Sequence, residues 1–177
     1  MNKFSILLVA LPFFLSCKKE STPPLLRIQV KNLQFTVDAA NVQPPFTPYI
    51  PIPDVRTNAL SLLAANGIDT ANIQSIRPGR ATLSVFFNED QLNFIDALSI
   101  RLCPLNENEI NCGREAFYRD PVPIDAGFDL DLVPSNVNDL RELVLQDRIN
   151  VQVKFERLRD SPNGTFDINL DMEFEVR

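Results

Sequence analysis

The segment FDINLDMEFEV, residues 166–176, alternates apolar and polar side chains without a break. Side chains of a β-strand point alternately to opposite faces, so this pattern predicts a strand with one buried and one solvated face. The segment RINVQVKF, residues 148–155, alternates in the same way. Together they indicate antiparallel sheet structure at the end of the chain.

The sequence between these two segments favours a hairpin. The Asn-Gly pair at 163–164 is typical of a two-residue turn. In the resulting register Phe155 faces Met172 and Lys154 faces Glu173, which pairs apolar with apolar and charge with countercharge. A longer turn is the alternative, because a proline stands directly before the Asn-Gly pair.

Strand patterns recur upstream at short spacing. Residues 26–37 switch parity at 31–32, which predicts a β-bulge within one long strand. Residues 73–87 form one interrupted strand or two, with the break at Pro78-Gly79. The remaining strand-like segments are ALSIRL (97–102), GREAFYR (113–119) and AGFDLDLV (126–133).

A proline-rich segment, VQPPFTPYIPIPDV, covers residues 42–55. Its five prolines favour extended backbone and argue against a central strand. It holds Phe46 and Tyr49, which are the candidate ligand contacts on this loop. The alternative is that Phe46 and Ile50 only fasten the loop to the sheet.

Two segments have helical patterns. TNALSLLAANG (57–67) predicts a short helix with Thr57 as N-cap, Leu60, Leu63 and Ala64 inward, and Gly67 as terminator. SNVNDLRELVLQD (135–147) predicts a second short helix or a loop with one turn. The fold class expected is all-β: an antiparallel, immunoglobulin-like β-sandwich of about seven to nine strands, with two short helices in connections.

The chain has three cysteines. Cys103 and Cys112 flank a polar, turn-forming loop between two strand patterns, and an even pair in an exported protein predicts a disulfide. A redox-active pair is the alternative, but no CxxC spacing is present. Cys17 stands apart in the N-terminal region.

Composition excludes several kinds of chemistry. The chain has no histidine, so histidine-based catalysis and histidine metal sites are ruled out. Phosphate-binding glycine loops are missing, and a net charge of −6 argues against nucleic acid as a partner. Asp125, Asp129 and Asp131 form an acidic run, which we interpret as a solvated strand face in preference to a calcium site. No cofactor or metal is expected.

The N-terminal sequence is MNKFSILLVALPFFLSCKKE. Its apolar run, 4–15, is shorter than the roughly 20 residues that a membrane-spanning helix needs, and its basic start and small-residue exit predict an export signal. Residues 14–17 resemble the lipobox of bacterial lipoproteins, which implies acylation of Cys17. Ordinary secretion and an uncleaved helix are the alternatives. The expected organisation is a signal peptide at 1–16, a lipidated cysteine with a flexible tether at 17–25, and one β-sandwich domain at 26–177.

The SCKKE junction, together with segments such as TNALSLLAANGIDT and LNFIDALSIRL, resembles small Bacteroidota cell-envelope lipoproteins with an immunoglobulin-like β-sandwich, some of them loosely described as lipid-binding. The resemblance implies a bacterial envelope protein anchored at the outer membrane, facing either the periplasm or the cell surface. Asp69-Thr70-Ala71 matches the O-glycosylation signal of the same phylum, which makes Thr70 a candidate acceptor.

The leading functional hypothesis is therefore a non-enzymatic, membrane-anchored lipoprotein that acts as an interaction or structural module. Its expected partners are the membrane, through the acyl anchor, and a protein or glycan. The alternative is a binding module for an apolar or glycan ligand near Phe46 and Tyr49. A carboxylate hydrolase is a third hypothesis, and it would require two buried acids facing each other across a cleft.

Overall fold

The computed structural model describes residues 23–42, 44–45, 48–86, 91–107, 109–137 and 139–177. The strands are β1 (Leu26–Asp38), β2 (Tyr49–Arg56), β3 (Ile76–Val85), β4 (Ile95–Cys103), β5 (Arg114–Arg119), β6 (Asp129–Pro134), β7 (Arg148–Leu158) and β8 (Thr165–Val176). Two short helices, α1 (Ala59–Ala65) and α2 (Arg141–Val144), lie in the β2–β3 and β6–β7 connections. No helix in this described part of the chain is long and apolar enough to cross a membrane.

All strand pairs are antiparallel and belong to one sheet with the order β1-β8-β3-β6-β5-β4-β7-β2. β5 and β6 share only two residue pairs, and the edge strands β1 and β2 approach each other within 8 Å between Cα atoms. The sheet is therefore rolled up and nearly closed. The all-β, antiparallel class and the expected number of strands are confirmed.

The strand order has one regular feature: β1 pairs with β8, β2 with β7, β3 with β6 and β4 with β5. Rolling up one long hairpin produces these pairs, which are those of a jelly roll. In an immunoglobulin-like domain the first two strands share a sheet and pair with each other. The immunoglobulin-like arrangement expected from the sequence is not confirmed, because here the first strand pairs with the last.

The interior of the roll is apolar and aromatic. All six apolar side chains of β8 that the alternation assigned inward are buried, as are Ile149, Val151, Val153 and Phe155 of β7. Phe117 of β5 lies 5.9 Å from Phe174 of β8 between ring centroids. Such contacts connect the two halves of the roll, β1-β8-β3-β6 and β5-β4-β7-β2.

The predicted β7–β8 hairpin is wrong. β7 pairs with β2 and β4, whereas β8 pairs with β1 and β3 in the other half of the roll. The connection 159–164 crosses between the halves, and the backbone N–H of Arg159 donates to the carbonyl of Phe94 (2.8 Å) in a different loop. Lys154 accordingly forms its ion pair with Glu156 (2.9 Å) and not with Glu173.

Local irregularities fall where the sequence predicts them. The register of β1 shifts between Val30 and Leu33, and Asn32 has a φ of 57°, which asparagine tolerates better than most residues. β3 is one strand with a register shift between Pro78 and Arg80. The proline-rich segment supplies β2, an edge strand, where missing N–H donors do least harm.

The helices are shorter than their patterns suggest. α1 buries Ala59 and Leu63, while Leu60 is 45% exposed and Ala64 is also exposed, so the predicted inner face is wrong at these two positions. The N-cap is Asn58 and not Thr57 as predicted. The Thr57 hydroxyl lies just before the helix, where it accepts from the N–H of Ala59 (3.3 Å) and donates to the carbonyl of Val144 (2.9 Å). α2 is a single turn, as in the loop alternative.

The Cys103–Cys112 disulfide is confirmed, with Cα atoms 5.4 Å apart. It closes a loop that folds over the outer face of β7. There the Asn150 amide donates to the carbonyl of Leu105 (3.2 Å), and Gln152 accepts from the N–H of Asn111 (3.1 Å). The alternation predicts a solvated face for Asn150 and Gln152, but both are buried under this loop.

Candidate functional site at the four-loop end

The antiparallel strands place the connections at two opposite ends of the roll. We call one the four-loop end; it consists of the described residues of four connections, namely 39–42, 44–45 and 48 in the first, 86 and 91–94 in the second, 120–128 in the third and 159–164 in the fourth. The other, the helix end, carries both helices, the disulfide loop, Pro23–Leu25 and Arg177. The first described residues are fixed there, since the N–H of Leu25 donates to the carbonyl of Val176 (2.8 Å).

Three large apolar side chains are exposed at the four-loop end. Phe86 is 40% exposed, Phe128 47% and Ile124 79%. The N–H of Val85 donates to the carbonyl of Phe128 (2.9 Å), so the chain segments that carry Phe86 and Phe128 lie next to each other. The helix end also exposes large apolar side chains, but these are aliphatic: Leu25, Leu60, Leu105 and Ile110. The four-loop end differs in exposing aromatic rings, which are enriched in protein interfaces.

Arg159 holds the loops of this end together. Its guanidinium donates to the carbonyls of Asn93 (3.2 Å), Ile95 (2.6 Å) and Val122. The N–H of Leu92 donates in turn to the carbonyl of Gly127 (2.8 Å). These hydrogen bonds connect three of the four loops to one another. We call the connected loops the braced frame, and they carry the exposed apolar side chains.

An ion-pair cluster lies beside this frame. Arg157 contacts Asp96 (2.9 Å) and Asp120, and Arg159 contacts Asp96 (3.0 Å). The hydrogen bond from the Arg157 guanidinium holds the pKa of Asp96 below its ordinary value, and the hydrogen bonds that Arg157 donates to the carboxylates of Asp120 and Asp96 raise the pKa of Arg157. The charged groups of this cluster pair with one another, which indicates that the cluster has a structural role.

A small depression of about 300 Å³ opens at this end between the 86–94 and 159–164 connections. It is lined by Asn93, Phe94, Ile124, Asp160, Ser161 and Asn163. Phe94 and Ile124 are its apolar lining residues, and the other four are polar. The depression is suited to receiving a protruding side chain of a partner.

A larger depression of about 380 Å³ lies on the outer face of the β1-β8-β3-β6 half. Its side chains are largely bonded to one another: Gln29 donates to Glu173 (3.1 Å), and Thr82 and Arg80 donate to Asp131 (2.8 and 3.1 Å). The hydrogen bond from Thr82 lowers the pKa of Asp131. The acidic run is thus a solvated strand face at Asp129 and Asp131, as the sequence indicates.

The predicted site residues do not come together in the structure. Tyr49 is half-buried at the start of β2, whereas Thr70 is exposed at the helix end, in a turn where the Asp69 carboxylate accepts from the N–H of Ala71 (2.9 Å). Cys17 and Phe46 lie outside the described residues. The alternation in residues 126–133 predicts that Phe128 points inward. This prediction is wrong, because β6 begins only at Asp129. The sequence gives little other signal for this surface.

Within the described ranges, no group of three or more cysteine or acidic side chains is arranged to hold a metal ion. The perturbed carboxylates, Asp54, Asp96, Asp131 and Asp139, all have pKa values lowered, in the direction of the charged form. A general acid requires the opposite shift.

No protein-family model matches the chain, and no curated protein matches it. Among solved structures, the chain is similar to one described as Desmodium yellow mottle tymovirus, with 12% identity over 99% of this chain and 95% of that chain. The TM-score is 0.27, which is too low to support an argument about fold or function.

Proposed function

We propose that this protein is a non-enzymatic lipoprotein of the bacterial cell envelope, held at a membrane by an acylated Cys17, which presents its four-loop end to a protein partner. The observation that carries the proposal is the exposure of Phe86, Ile124 and Phe128 on a braced frame. That end lies opposite Pro23–Leu25, through which the chain enters the domain.

The orientation follows from this placement. A lipid anchor upstream of residue 23 would hold the helix end toward the membrane and leave the four-loop end facing away from it. Residues 18–22, which precede the fixed segment 23–25, could span about 17 Å when fully extended. The membrane face, periplasmic or external, is left open by this proposal.

The finer description of the fold belongs to the same proposal. We infer that the two halves of the roll act as the layers of a β-sandwich, with the jelly-roll strand order in place of the immunoglobulin-like one. The aromatic contact between Phe117 and Phe174 supports two facing layers. A rigid sandwich suits a protein that displays loops without catalysing a reaction.

A matched pair of positions tests the interaction surface. Phe128 at the four-loop end and Leu60 at the helix end are similarly exposed, at 47% and 45%. We expect a photo-crosslinking amino acid at 128 to give a discrete crosslink to another envelope protein in intact cells, and the same amino acid at 60 to give none. Equal crosslinking at both positions, or none at 128, would contradict the proposal.

A further inference from the structure

The two tyrosines of the chain lie on one row across the outer face of the β5-β4-β7-β2 half. Tyr49 of β2 is opposite Lys154 of β7, Lys154 is opposite Ser99 of β4, and Ser99 is opposite Tyr118 of β5. We call these four residues the tyrosine row. Tyr49 and Tyr118 are three strand spacings apart, about 14 Å.

The row points away from the core. Its strand neighbours Val153, Ile100 and Phe117 are fully buried inside the roll, so the residues of the row point to the opposite face. Both tyrosine rings are half-buried. Each ring therefore packs against the sheet while part of it stays open to solvent.

The disulfide loop defines where the row is accessible. It covers Asn150 and Gln152 and reaches as far as Lys154, whose ammonium donates to the side chain of Asn111 (2.9 Å). On this outer face, the tyrosine row comes directly after the row that contains Gln152. It thus borders the covered area and lies on the side toward the four-loop end.

The polar groups between the tyrosines are held in place, and Ser99 among them is buried, at 2% exposed. The Ser99 hydroxyl donates to Glu156 (2.8 Å), and the same carboxylate forms an ion pair with Lys154 (2.9 Å). The charges of Lys154 and Glu156 cancel, so the centre of the row is electrically neutral. Such a surface favours a neutral, hydroxyl-rich ligand over a phosphate or an acidic peptide.

The tyrosine hydroxyls are left available. Within the described residues neither hydroxyl has a hydrogen-bond partner. Tyrosine combines an apolar ring with a polar tip, and a few fixed polar groups orient a ligand. We propose that the tyrosine row binds a neutral glycan chain, with a sugar ring stacked on each tyrosine and sugar hydroxyls bonded to the tyrosine hydroxyls and to the partly exposed carboxylate of Glu156. This binding does not depend on the partner proposed for the four-loop end.

Affinity electrophoresis of the detergent-solubilised full-length protein tests this site. The probes are three neutral polysaccharides (dextran, galactomannan and xyloglucan) and one anionic comparison, polygalacturonate. We expect retardation by at least one neutral polysaccharide, and Tyr49→Ala and Tyr118→Ala should each weaken it by about tenfold. Tyr49→Phe and Tyr118→Phe, which keep the ring, should retain most of the binding.

Controls separate this site from the four-loop end. Phe128→Ala removes an exposed ring outside the row and should leave the retardation unchanged, while the tyrosine variants should leave crosslinking from position 128 intact. Thermal unfolding of each variant checks that it is folded. Absence of retardation by all three neutral polysaccharides, unchanged retardation of the folded tyrosine variants, or stronger binding of polygalacturonate would overturn the proposal. A protein captured through these tyrosines in place of a glycan would also overturn it.

Discussion

At the scale of single residues, Asp96 connects two arginines at the four-loop end. Its carboxylate accepts from Arg157 and Arg159, and Arg159 in turn holds the carbonyls of neighbouring loops. The hydrogen bond from Arg157 keeps the pKa of Asp96 below its ordinary value of 3.8. Because the folded pKa is lower than the unfolded one, the stabilisation is fully present above pH 3.8 and is lost as the pH falls through the folded pKa.

We therefore predict that Asp96→Asn lowers the free energy of unfolding at pH 7 and that the difference from the wild type shrinks as the pH falls below 3.8. Urea unfolding at several pH values measures this. Asp125→Asn is the control, because Asp125 is exposed and forms no ion pair with the described residues. A difference between Asp96→Asn and wild type that is the same at pH 7 and in acid would contradict the account.

At the scale of elements, the sequence predicts what depends on neighbours along the chain. The parity switch at 31–32 marks the β1 bulge, and the cysteine spacing marks the hairpin of β4 and β5. Both signals are local. The pairing of β1 with β8 joins the first and last strands of the sequence, so no short segment of sequence encodes its register.

The β7–β8 hairpin shows why the remaining predictions fail. Each strand has one apolar face that fits several partners equally well, so complementary pairs such as Lys154 and Glu173 do not select one register. The choice is made by tertiary contacts, such as those of Arg159 with other loops. The candidate site was missed for a related reason, since exposed apolar side chains on loops have no periodic pattern.

A glycine at the end of the disulfide loop allows a test of how closely this loop approaches β4. Gly113 has a φ of +55°, and a Cβ there would lie 1.8 Å from the carbonyl oxygen of Leu102. Gly127 has a φ of +65°, and a Cβ there would make only an ordinary contact, 3.9 Å from the carbonyl oxygen of Asp125. We predict that Gly113→Ala destabilises the protein by about 3 kcal/mol or more, because it adds a steric clash to backbone strain.

Gly127→Ala adds backbone strain without a steric clash and should lower the free energy of unfolding by about 1 kcal/mol. Chemical denaturation of the two variants in parallel measures the difference. Equal losses would mean that the β4–β5 connection does not approach Leu102 as described.

At the scale of the whole molecule, the two ends of the roll have different roles. The helix end receives the N-terminal segment and exposes aliphatic side chains such as Leu60, while the four-loop end exposes the aromatic rings of Phe86 and Phe128 together with Ile124. A net charge of −6 gives the protein no electrostatic attraction to anionic lipid headgroups. Attachment to a membrane would therefore depend on acyl chains, each buried methylene contributing about 0.8 kcal/mol.

The measurement that tests this account most directly is the fractionation of cells that express the full-length chain or Cys17→Ala, with membranes washed in high salt. We predict that the wild type stays in the membrane fraction and that Cys17→Ala is released. The double variant Cys103→Ala/Cys112→Ala, which removes the disulfide but keeps Cys17, should remain membrane-bound. A Cys17→Ala protein that is as firmly membrane-bound as the wild type would contradict the lipid anchor.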